Sequence, residues 1–240
     1  MRLGLTTLAT VLIAASTPAL CEPVEEDYGA LFERALESIA WDFQEHWAFN
    51  ETESGGDGEF VGRHDPRKPQ GERWTLISID GREPTPEEAR RYADRKRGEN
   101  SDGDHNGDGD IDGMVEPGSL ELLEEADDHW LLRFVPTDDN DDDNMGRQVL
   151  ERMEGTVKIV KDGHYLEYLD IRNTRPIRPK AGVKMKKFLT RITFGPAVDG
   201  GPIVMQSIDV AIKLSAFLVV RVDETESVRF SDFEYAGLDD

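Results

Sequence analysis

Cysteine is all but missing from this sequence. Cys21 is the only one in 240 residues, so no disulfide can form within the chain and stability has to come from packing. Basic residues are scarce beside acidic ones, 28 against 50, and the formal charge of −22 argues against a nucleic-acid partner. The motifs of familiar chemistries are missing too. The five histidines (His46, His64, His105, His129 and His164) form no His-Glu-x-x-His pair and no zinc-type spacing with cysteine. There is no Gly-x-Ser-x-Gly elbow, no phosphate-binding glycine loop and no dinucleotide fingerprint. Carboxylates are so numerous that no pair stands out as acid and base. These absences point to a protein that is not an enzyme. A hydrolase with an unrecognised carboxylate site is the weaker reading. Long apolar runs are limited to the amino end, where Arg2 precedes Leu3 to Ala15 and small residues follow at Thr17 and Ala19. That run is shorter than the ~20 residues of a membrane span. It has the layout of a secretory signal over residues 1–21, cleaved after Ala19 or Cys21, while Pro18 disfavours the alternative of an uncleaved anchor helix.

What is present is a β pattern, clearest in the last third of the chain. From Val204 to Val222 nine of the ten even positions are apolar, and many odd ones are polar or charged. A period of two is what a pleated strand with one wet face requires. The stretch is far longer than a usual strand of about five or six residues, so it should break near Ser215 or bend strongly. The apolar phase also shifts between Met185 and Phe188, which predicts a bulge near Lys186 and Lys187, and shifts again after Phe230.

The remainder supplies more hairpins and a few helices. Val24 to Trp47 reads as one helix with Tyr28, Leu31, Phe32, Ala35, Leu36, Ile39 and Phe43 on one face, and with Glu25, Glu26 and Asp27 in its first turn. Trp47–Ser54 and Glu59–His64 read as a hairpin, and Arg73–Ile79 as a further strand. Thr85-Pro86-Glu87-Glu88 is a capping box opening a helix to about Arg97, polar enough to lie on the surface. Leu120–Leu123 and Trp130–Val135 are short strands, Met145–Met153 a short helix, and Asp162-Gly163 turns between Thr156–Val160 and Tyr165–Ile171. The expected fold is mainly β with some α: a curved antiparallel sheet or half-barrel of about ten strands, packed on an N-terminal amphipathic helix as one domain over residues 22–240.

An exported chain with an N-terminal helix, successive hairpins and a late meander around an apolar face resembles the bacterial outer-membrane lipoprotein carrier superfamily, including the related sigma-factor regulatory domains. The run Arg73-Trp74-Thr75-Leu76, followed by Asp80-Gly81 and Pro84-Thr85, is also similar to secreted proteins of Gram-negative bacteria. The resemblance is architectural and covers most of residues 22–240. It implies a periplasmic location and a sheet that shelters acyl chains of a lipid or lipoprotein. Phe194, Val210, Ile212 and Leu214 are the candidate ligand-binding wall, although a sheet interior filled by side chains would carry the same pattern.

Two charged stretches stand outside that pattern. Between Glu99 and Asn144 there are 17 acidic residues and one basic residue, Arg133, and residues 99–117 form an acidic insert. Within it Asp104, Asn106, Asp108 and Asp110 occupy positions 1, 3, 5 and 7 of a calcium loop, with Gly109 at the turn and Ile111 at the apolar eighth position. The twelfth position, which should carry a bidentate glutamate, is Val115, and Glu116 comes one residue late. A solvated acidic loop with no ion is the competing reading. Between Ile171 and Val198 lie eight basic residues and no acidic one, a surface suited to phosphate headgroups or an acidic envelope protein, or simply to balancing the insert. The functional expectation is a periplasmic carrier or binding protein for an apolar ligand. The alternative is a calcium-stabilised envelope interaction module.

Overall fold

The computed structural model describes residues 27–101, 111–137, 149–179, 181–217 and 220–237. The signal stretch 1–21, the calcium-loop positions 104–110 and residues 145–148 of the expected helix at 145–153 lie outside the described residues; of the rest of that helix Val149 and Leu150 are helical, a turn follows, and Met153 opens a strand.

Ten strands form one open antiparallel sheet. In chain order they are β1 (Trp47–Gly55), β2 (Gly58–His64), β3 (Trp74–Ile79), β4 (Glu121–Glu125), β5 (His129–Phe134), β6 (Met153–Val160), β7 (Tyr165–Asn173), β8 (Val183–Pro196), β9 (Ile203–Ala216) and β10 (Val220–Tyr235). Their spatial order is β3-β2-β1-β10-β9-β8-β7-β6-β5-β4. Every neighbour but one is a sequence-adjacent hairpin. The exception is β1 against β10, a pairing that joins the two ends of the described chain. The curved, mainly β architecture read from the sequence is the one observed. The expected bulge is present between Met185 and Lys187, and the long apolar run breaks after Ala216. A further register shift beside Ala48 accompanies Asp232, whose φ of 53° is adopted by few residues other than glycine.

The N-terminal helix is not one helix. It divides into α1 (Tyr28–Glu37) and α2 (Phe43–His46), because Ile39 leaves the helix to make a parallel bridge with Ile203, and Ala40 N–H donates to the Ile203 carbonyl at 2.8 Å. Asp27 is the cap of α1 and accepts from the Gly29 and Ala30 amides, so no acidic residue lies in its first turn. The apolar stripe nevertheless packs as expected. Leu31, Phe32, Ala35 and Ile39 are buried against Leu132, Val157, Leu169 and Ile192, and Phe43 is buried against Phe49 and Val204.

The helix opened by the capping box, α3 (Pro86–Ser101), packs on the far half of the sheet. Thr85 N–H donates to Glu88 Oε2 at 2.8 Å, and Glu88 N–H donates to Thr85 Oγ1 at 3.3 Å. It is less superficial than its composition suggests, since Tyr92 and Lys96 are 5% and 7% exposed. Tyr92 fits over Gly62, where any Cβ would overlap its hydroxyl.

Both helices cover the same face. Directly paired residues in an antiparallel ladder point to one side. The pairings run Leu122, Leu132, Val157, Leu169, Ile192, Ile208, Val228, Glu53, Phe60 and Ile79, one residue from each strand. Nine of these ten are apolar, and the tenth, Glu53, meets side chains from α3. α1 lies over the Val157 to Ile192 end of the row and α3 over the Phe60 to Ile79 end.

Candidate functional site

Past the row under the helices, β8, β9 and β10 carry a stretch of the same face that packs under neither α1 nor α3. Three further rows lie beyond the Ile192–Ile208–Val228 segment: Thr190–Val210–Glu226, Phe188–Ile212–Glu224 and Met185–Leu214–Val222. Val210, Ile212 and Leu214 are half-buried although they sit on a central strand, and none of them joins the clusters under α1 or α3. Sequence alternation placed these three on one face, and the structure brings them together in a strip along β9. Phe194 is not with them. It is 4% exposed, edge-to-face with Trp41 at 5.9 Å, and belongs to the closed core under α1. The register shift between Thr193 and Phe194 also puts Met205, rather than Gln206, opposite Phe194.

Across β10 from the strip lies a cleft of about 1000 Å³ under α3, whose walls include Glu53, Phe60, Tyr92, Arg95, Glu226 and Val228. Val228 and Glu226 face both spaces, because they pair directly with Ile208 and Val210. Along β9 the surface is aliphatic. At the α3 side it carries the carboxylates Glu224 and Glu226, which form no ion pair with any described residue.

A buried ionic cluster fixes the α3 wall. Lys96 Nζ lies 2.6 Å from Glu51 Oε1 and 2.7 Å from Glu53 Oε1, and Arg95 reaches Glu53 Oε2 at 2.8 Å. The Tyr92 hydroxyl donates to Glu51 at 3.4 Å, and the Lys96 ammonium stands over the Trp74 ring at 5.0 Å. Burial is the dominant influence on Glu51 and outweighs the attraction of Lys96, whose charge is shared, so its pKa rises to about 7. Burial acts on Glu53 as well, but the hydrogen bonds from Arg95 and Lys96 prevail and bring it down to about 2. Burial alone would lower Lys96; the two carboxylates hold it above the ordinary lysine value. The Tyr92 phenol is raised by burial and by the charge of Glu51 and Glu53. Glu51 does not line the cleft, and its partners are protein groups, so the cluster works as a latch between α3 and β1.

Sequence reasoning missed this latch because α3 is polar overall. The available signal was Tyr92 and Lys96 at i and i+4, one helix face, opposite Glu51 and Glu53 at i and i+2 of a strand. Beside it, His64 stacks on Phe49 at 5.0 Å with its Nδ1 unpartnered, and burial lowers its pKa to about 4.

Among the described residues no group of three or more His, Cys, Asp or Glu side chains is arranged to hold a metal. The calcium-loop residues Asp104, Asn106, Asp108 and Asp110 lie outside the described residues, but Ile111 and Val115 just after them are 4% and 5% exposed in the α1 core. Among the described residues no helix is long and apolar enough to cross a membrane. Comparison with known proteins returns no matching family model, no matching curated protein and no matching solved structure.

Proposed function

We propose that this chain is a periplasmic, non-enzymatic carrier or binding protein for an extended apolar ligand, the acyl chain of a lipid or lipoprotein in the cell envelope. One observation carries the reading: Val210, Ile212 and Leu214 form a half-open aliphatic strip that runs out along β9 from the helix-covered part of the same sheet face. Apolar surface of that kind marks a place where something else is meant to sit, and a linear chain matches a linear strip. The adjoining cleft offers room for the ligand's bulkier end, lined by both carboxylates and Arg95. A fluorescent fatty acid should bind saturably and be displaced by phospholipid or lipopeptide. Ile212→Glu should abolish binding while circular dichroism stays unchanged. Absence of saturable binding would remove the reading.

The second reading, a calcium-stabilised envelope interaction module, is favoured by the burial of Ile111 and Val115. An ion held by Asp104, Asn106, Asp108 and Asp110 would act directly on residues anchored in the α1 core.

A further inference from the structure

β8, β9 and β10 outrun their neighbours. The β7 ladder on β8 ends at Arg172–Leu189, and the β1 ladder on β10 ends at Ser54–Ser227. Val183–Phe188, Ile212–Ala216 and Val220–Glu226 therefore project as a three-stranded arm. Its only further backbone partner among the described residues is the Ile177–Met185 bridge.

The arm is two-faced. Val183, Ala216 and Val220 form its outermost row on the helix-bearing side, and Met185, Leu214 and Val222 the next. Lys184, Ser215 and Arg221 form a row on the opposite side, with Lys187 and Lys213 in the row below. Lys186 is the bulged residue and is exposed. Lys213 is paired with Asp223, but Lys184, Lys186, Lys187 and Arg221 form no ion pair with any described residue. Arg175 and Arg178, on either side of Ile177, add two more exposed cations.

At the end of the arm two large apolar side chains face water. Phe217 is 69% exposed, the highest value among the exposed large hydrophobic residues, and Val220 is 52% exposed. Phe217 does not dangle. Its amide donates to the Gly182 carbonyl at 2.8 Å, and its ring occupies the space a Cβ on Gly182 would need. Its φ of 50° is a conformation that bulky residues rarely adopt, so the ring is held in this position at a conformational cost.

An aromatic held in water at the end of a projecting arm, one face of which carries cations without an ion pair to any described residue, on a chain of net charge −22, has a specific complement. We propose that the free end of the arm docks on an anionic lipid surface, Phe217 and Val220 entering the acyl boundary while Lys184, Lys186, Lys187 and Arg221 meet phosphate headgroups. The long-range field favours this end over the rest of the acidic molecule, because on the arm Lys184, Lys186, Lys187, Lys213 and Arg221 outnumber Asp223, Glu224 and Glu226. This contact does not depend on a ligand in the strip, although the strip starts from the row beside the docked end.

Flotation of the full chain with vesicles tests it, using pure phosphatidylcholine and an equal mixture with phosphatidylglycerol. Binding should require phosphatidylglycerol and weaken with salt. Phe217→Ser should weaken it about tenfold or more through lost apolar burial, and each of Lys184→Gln, Lys186→Gln and Lys187→Gln about fivefold. The run Leu3 to Ala15 would itself partition into lipid, so the deciding readouts are those tied to the arm. In Phe217→Trp the emission of the added indole should shift to the blue and be quenched by brominated lipid. Emission from that indole that is neither shifted nor quenched, or partition indifferent to Phe217→Ser and to the lysine changes, would overturn the proposal. Capture of soluble polyglutamate without vesicle binding would also overturn it and assign the basic end to an acidic protein.

Discussion

Lys96 on α3 and Glu51 on β1 form an ion pair of 2.6 Å whose side chains are 9% and 8% exposed. Such a pair adds little stability over an apolar replacement, but either partner alone is costly because a bare charge is then left inside. Lys96→Ala should destabilise the protein by about 3–5 kcal/mol at neutral pH. The double change Glu51→Leu with Lys96→Met should recover most of that loss. Urea unfolding of the wild type, Glu51→Leu, Lys96→Met and the double variant measures the coupling. Additive losses would show that the two groups do not hold α3 together.

The same pair sets a pH dependence. Glu51 is raised from 4.5 to about 7, so its contribution is complete below pH 4.5 and is lost as pH climbs through about 7. His64 is lowered from 6.5 to about 4, so its contribution is complete above pH 6.5 and is lost as pH falls through about 4. The two slopes oppose each other between pH 4.5 and 6.5. Glu51→Gln removes only the first. Its stability relative to wild type should therefore rise from pH 4.5 to 7 and then level off, by an amount of about 1–3 kcal/mol. Melting temperatures across that window decide it, and a difference that does not vary with pH would place Glu51 at its ordinary pKa.

Gly62 controls the seating of α3 by steric means alone. Its backbone needs no left-handed conformation, yet a methyl group there would overlap the Tyr92 hydroxyl. Gly62→Ala should cost about 1–3 kcal/mol through overpacking. The cost should shrink when Tyr92→Phe removes the overlapping oxygen. Equal cost in both backgrounds would mean that Tyr92 is not the obstacle.

How much of this was legible in the sequence depends on whether the signal is local. The Thr85–Glu88 capping box, the bulge at Lys186 and the break after Ala216 are short-range patterns, and each has its counterpart in the structure. The β1–β10 joint pairs Trp47 with Tyr235, and no local pattern records a partner that distant. The division of the first helix came from the Ile39–Ile203 bridge, a tertiary contact that overrode an unbroken helical stripe. At the candidate site, alternation identified which residues share a face. It could not tell Phe194, covered by Trp41, from Ile212, which no described helix covers, because both are apolar members of the same pattern.

The acidic insert offers a separate test. If Asp104, Asn106, Asp108 and Asp110 ligate calcium, millimolar calcium should raise the melting temperature by mass action on the folded state and protect residues 102–116 from protease. Asp108→Ala should remove both effects. The same response to magnesium would instead indicate simple screening of like charges.

The contrast between Phe194 and Ile212 gives the sharpest check on the ligand reading, because the two differ in cover and resemble each other in hydrophobicity. A carboxylate placed at 194 would be buried beneath Trp41 with no described cation to pair with it, so Phe194→Glu should destabilise the fold by several kcal/mol. At 212 the new charge can reach water from a half-buried position, so Ile212→Glu should keep the wild-type circular dichroism and most of its stability. It should nevertheless lose the fluorescent fatty acid, since an acyl chain along β9 would have to lie on a charge. A smaller change, Ile212→Ala, should leave the fold intact and weaken the probe by roughly tenfold, in line with the apolar area removed. If Ile212→Glu unfolds the chain as readily as Phe194→Glu does, the strip is part of a closed interior. The sheet would then present surfaces to a partner rather than shelter a ligand.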